Sequence, residues 1–71
     1  MATPDEVRAL TGRQVFLRLT PEAGGEVVEG RLVGTLDAAD GLVMVVEPQG
    51  SPGRRFSCNY QHVAVLEQRG D

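Results

Sequence analysis

Lysine and tryptophan are absent from this chain, and cysteine and histidine occur once each, as Cys58 and His62. A lone cysteine excludes an internal disulfide, and Cys58 with His62 cannot complete the four-ligand set of a structural zinc, so no metal is expected. The aromatic residues are Phe16, Phe56 and Tyr60 alone. Readers of single-stranded RNA usually stack bases on several rings. The longest apolar run, Leu42 to Val46, is far shorter than the roughly 20 residues of a membrane-spanning helix. The Met-Ala-Thr-Pro start has neither the basic nor the apolar region of an export signal. These absences predict a soluble, cytoplasmic protein without a membrane partner.

Positive charge is scarce as well. Ten acidic residues oppose seven arginines for a net charge of -3, so no global field attracts nucleic acid and any such contact must be local. Arginine as the sole cation suits bidentate recognition, and it is also what a GC-rich coding sequence produces. No phosphate loop, Ser-His-Asp order or pair of acids in a plausible pocket is present. Asp37 and Asp40 flank two alanines and precede Gly41, which reads as a turn. The expectation is a binding module, not an enzyme, with no cofactor and no evident small-molecule substrate. Residues 1–71 form one domain, of a size that buries only about 60% of the unfolded chain's surface. Self-association is the reinforcement left open to so small a core.

Thr3-Pro4-Asp5-Glu6 reads as a capping box with proline at the first helical position, predicting a helix over about 4–10 that Gly12 can end. From Gln14 the apolar period becomes two. Val15, Leu17 and Leu19 alternate with Gln14, Phe16 and Arg18 in a first strand, and Thr20 to Gly25 is a turn by composition. A long second strand spans Glu26 to Leu36, interrupted by Gly30 and Gly34, which mark a bulge, a bend or a close backbone approach and predict a strand serving both halves of a barrel. Asp37 to Gly41 reads as a hairpin loop. Leu42 to Val46 is apolar on both faces, so a second cover is expected from the helix or a neighbouring subunit. Pro48 to Gly53 is a loop, Arg54 to Asn59 a strand, Asn59-Tyr60-Gln61 a tight turn and Val63 to Leu66 the closing strand, with a frayed tail over 67–71. The predicted fold is mainly β: a short N-terminal helix, then a five-stranded, strongly bent antiparallel SH3/Sm-like barrel over about 14–66.

Gly30-Arg31-Leu32-Val33-Gly34 with Asp37 resembles the first motif of the Sm-like family. Asn59-Tyr60-Gln61-His62-Val63-Ala64 resembles the second motif of its bacterial, Hfq-like branch, in which Tyr-Lys-His enters the last strand and the Lys-His pair lines an RNA-binding pore. Tyr60 and His62 match, and Gln61 stands in place of the lysine. The aspartate falls one residue late, and Gly41 occupies the position of a base-reading asparagine, so a phosphate-attracting charge and a hydrogen-bonding reader are both missing. The segment Leu10 to Leu19 with Glu29 to Gly34 is also similar to the C-terminal barrel of the ribosome maturation factor RimP. Gly34 to Val46 is similar to the SH3-like C-terminal domain of biotin ligases.

The resemblance implies a homo-oligomeric module binding RNA or ribonucleoprotein, with Tyr60, Gln61 and His62 as candidate contacts. Arg54, Arg55 and Arg31, with Arg13 and Arg18 as possible neighbours, are the candidate positive patch. Each has a plainer role available: Tyr60 as a barrel-closing aromatic, His62 as a hydrogen-bonded turn residue, and the arginines as solvated charges that discourage edge aggregation. The alternative function is an SH3-like protein-interaction or scaffolding barrel without a nucleic-acid role.

Overall fold

The structure, a computed structural model, describes residues 2–70. Helix α1 spans Pro4–Ala9 and starts where the sequence places it. The Glu6 backbone N–H donates to Thr3 Oγ1 at 3.2 Å, and the Thr3 N–H donates back to Glu6 Oε1 at 3.1 Å. Its buried Val7 and half-buried Leu10 join the core, which anchors a helix too short to persist alone.

Strands β1 (Gln14–Leu19), β2 (Val27–Ala38), β3 (Gly41–Pro48), β4 (Phe56–Asn59) and β5 (Val63–Gln68) form one antiparallel sheet in the order β4-β3-β2-β1-β5. The sheet is not closed, since no ladder joins β4 to β5 among the described residues. Single-turn 3-10 segments at Pro21–Ala23 and Tyr60–His62 make the β1–β2 and β4–β5 connections. With one short helix on this sheet the fold is mainly β, and its Cα radius of gyration of 10.9 Å matches the roughly 11 Å of a compact chain this long.

Strand β2 does serve two neighbours. Its first part, Val27 to Arg31, pairs with β1, and Gly30 to Ala38 pairs with β3. The two glycines have different causes. A Cβ on Gly30 would fall on the Glu47 carbonyl and lie 2.9 Å from Pro48 Cα, whereas Gly34 has open space and follows a register shift that leaves Val33 as the extra residue of a bulge. A second shift, between Arg18 and Leu19, leaves Ala64 as an extra residue in β5.

Alternation decides the core. Val15, Leu17 and Leu19 of β1, Leu32 of β2, Leu42, Met44 and Val46 of β3 and Val63 of β5 are buried with Val7 and Ala2. Each of the larger side chains contributes about 1.5–3 kcal/mol by leaving water.

Four expectations need correction. The β2–β3 loop is only Ala39-Asp40, because Ala38 pairs with Gly41, whose φ of +143° a side chain rarely adopts. Arg54 and Arg55 lie before β4, not in it: the Gly53 N–H donates to Glu47 Oε2 at 3.3 Å, the Arg54 N–H donates to the Ser51 carbonyl at 3.1 Å, and the β3–β4 ladder ends at Val46 and Phe56. The helix does not give β3 its second cover, since Val43 and Val45 are half-buried and α1 buries Val7 in the core, which leaves a neighbouring subunit as the other expected cover.

The tail is ordered through Arg69. Glu67 and Gln68 pair with Phe16 and Val15, and the Arg69 N–H donates to the Gln14 carbonyl at 2.7 Å. The Arg69 guanidinium lies 4.7 Å from the Phe16 ring centre and 4.0 Å from both Glu29 and Glu67 carboxylates, adding a cation–π contact to the backbone pairing that holds the strand end. Residue 71 of the expected tail, like residue 1, lies outside the described residues.

Candidate functional site

Tyr60, Gln61 and His62 form the 3-10 turn between β4 and β5, and the sequence encodes the turn through its cap. Asn59 Oδ1 accepts the Gln61 backbone N–H at 3.0 Å, satisfying a donor the turn leaves free. The turn is also clamped to the β2–β3 hairpin. Gln61 Nε2 donates to the Asp40 carbonyl at 2.9 Å, and Asn59 Nδ2 lies 3.4 Å from Asp40 Oδ1. Gly41 makes the approach possible, since a Cβ there would come within 2.9 Å of Asn59 Oδ1 and Tyr60 Cε1.

The three side chains have different surroundings. The Tyr60 ring is half-buried and packs on the core. Gln61 is exposed with its amide nitrogen engaged, which leaves Oε1 as an acceptor. His62 is exposed, and its imidazole has no hydrogen bond or ion pair among the described residues; only its carbonyl is engaged, by the Thr20 N–H at 2.8 Å. The Asp40 carboxylate beside this cluster opposes a phosphate.

The arginines stand elsewhere. Arg31 lies on β2 opposite Gln14 and Glu47, and it lines a shallow groove of about 200 Å³ with Gly30, Pro48, Gln49 and Pro52. Asn59 pairs with Val43, so four β3 positions, or about 13 Å of strand, separate the turn from the level of Arg31. Arg54 and Arg55 are exposed on the loop at the Arg31 end of the sheet. The structure therefore divides the expected site into a polar turn at one end and an arginine group at the other. Arg13, Arg18, Arg31, Arg54 and Arg55 have no carboxylate within 4.0 Å among the described residues, where the ion pairs belong to Arg8 and Arg69.

Asn59 and Asp40 are the participants that residue patterns do not single out, because their contact joins positions 19 apart. Cys58 is half-buried against the core, and burial pushes its thiol pKa up, which keeps it protonated and poorly nucleophilic at neutral pH. Comparison with family models, curated proteins and solved structures finds no match to this chain.

Proposed function

We propose that this chain is a small Sm-like barrel that assembles with copies of itself and binds RNA or ribonucleoprotein, without catalysing a reaction. The observation that carries this reading is the open sheet: β4 and β5 are both edge strands, and the exposed Gln61-His62 tip lies between them. Unpaired edges invite pairing with another chain, and head-to-tail pairing of unlike edges produces a ring wherever the rotation closes. A ring would repeat the Tyr60–His62 turn on every copy. Contacts that are weak singly, through the His62 imidazole and Gln61 Oε1, then add through avidity.

Fluorescence polarisation with U-rich and A-rich RNA tests the nucleic-acid part. Binding should weaken as salt rises, and His62→Ala should weaken it while leaving assembly intact. No binding at protein concentrations on the order of tens of micromolar, where even non-specific complexes form, would remove RNA from the account.

The second reading, an SH3-like protein-interaction or scaffolding barrel, has its own support. The arginines are remote from the turn, Asp40 sits beside it, and the outer face carries Leu36, 63% exposed, opposite half-buried Val43. Intact self-association without RNA binding is the outcome that favours it.

A further inference from the structure

Arg31, Arg54 and Arg55 gather at one end of the sheet, all exposed. Glu47 of β3 faces Arg31 of β2 across the ladder. Arg55, the residue before the last β3–β4 pair at Val46 and Phe56, stands at the level of Glu47 on its other side. Opposite charges directly across a ladder ordinarily pair. Here none of the three arginines has a carboxylate within 4.0 Å among the described residues, and Glu47 Oε2 instead accepts the Gly53 backbone N–H at 3.3 Å. The groove of about 200 Å³ beside Arg31 is lined by the amide side chains of Gln14 and Gln49 and by Pro48 and Pro52. It combines a guanidinium without an acidic partner, neutral hydrogen-bonding groups and apolar rings.

The surroundings decide which anion suits these arginines. A single-stranded nucleic acid needs rings on which its bases stack, and the arginine end offers none that is free. Phe56 packs against the core, the Phe16 ring is covered by the Arg69 guanidinium, and Tyr60 belongs to the turn at the far end. A carboxylate needs only the guanidinium fork, which it meets in bidentate fashion. A peptide also brings apolar side chains that match the prolines.

We propose that this end of the sheet docks an acidic peptide segment of a protein partner, with Arg31, Arg54 and Arg55 receiving its carboxylates and Pro48 and Pro52 its apolar side chains. The site is independent of edge assembly and of what the Tyr60–His62 turn binds. Glu47 stands within it as the one opposing charge, tied to the loop and withheld from the arginines.

The probe is a fluorescein-labelled peptide alternating glutamate with valine, titrated with the full chain and read by fluorescence polarisation, with circular dichroism confirming that each variant is folded. Binding should weaken with salt and vanish for the counterpart carrying glutamine in place of glutamate. Arg54→Gln/Arg55→Gln should weaken it about tenfold, the scale of two exposed charge contacts. Arg31→Gln should weaken it as well, whereas His62→Ala should not change it. Glu47→Gln keeps an acceptor for the Gly53 N–H but removes the charge, and it should tighten binding about threefold, which a loss of structure would not do. No binding up to about 1 mM protein, the weak end of the affinity scale, overturns the proposal. So does equal binding of the glutamine peptide, or unchanged binding in the arginine double variant or in Glu47→Gln. Labelled single-stranded RNA that loses more affinity than the peptide in the double variant also overturns it, and assigns the arginines to phosphate.

Discussion

Gly30 and Gly34 sit four positions apart in β2, and substituting each tests a different force. At Gly30 the obstacle is the Glu47–Pro48 backbone, which cannot rotate away as a side chain would. Gly30→Ala should therefore cost about 1–3 kcal/mol, the range for overpacked sites, measured as a lowered urea midpoint. Gly34 has neither a positive φ nor a neighbour within 4 Å. Gly34→Ala should be neutral or stabilising by up to about 1 kcal/mol, because alanine restricts the unfolded chain. Equal effects at the two sites would contradict the distinction. Cys58 offers a pH test. Burial raises its folded-state pKa, so its contribution to stability is complete below the unfolded thiol pKa of about 8.5 and is lost as pH rises through the higher folded value. The stability gap between wild type and Cys58→Ala should narrow from neutral to alkaline pH in urea titrations, and a constant or widening gap would contradict the assignment.

At the scale of elements, what could be read in the sequence follows the range of the interactions. The Thr3–Glu6 capping box is complete within four residues, and the period-two run through Val15, Leu17 and Leu19 defines a strand face without reference to anything distant. The start of β4 escaped because Arg54 and Arg55 continue an alternating pattern, while the loop turn, in which the Arg54 N–H donates to the Ser51 carbonyl and the Gly53 N–H to Glu47 Oε2, keeps both out of the β3–β4 ladder. The tail escaped because Arg69 lies against Phe16 and Glu29, forty or more residues earlier. The candidate site divides similarly: the Tyr60–His62 turn was legible, but its clamp to Asp40 and its separation from Arg31, Arg54 and Arg55 required the strand register. Asn59→Ala removes both the cap and the tie to Asp40, at a cost of about 0.5–2 kcal/mol. In a domain this size each kcal/mol corresponds to a fall in Tm of about 4–8 °C. An unchanged melting curve would show that the clamp does not hold the turn.

At the scale of the whole molecule, a single small core and one open sheet belong together. The core buries the β3 face through Leu42, Met44 and Val46, yet it leaves β4 and β5 with unpaired backbone and Leu36 in water. Association through the edges would add buried surface that 71 residues cannot supply alone, and it would make stability depend on concentration. Native mass spectrometry of the wild-type protein at micromolar concentration tests the central claim most directly. A closed homo-oligomer, of about five to seven copies if the edges form an Sm-like ring, is the predicted result, and a monomer across the accessible concentration range would contradict it.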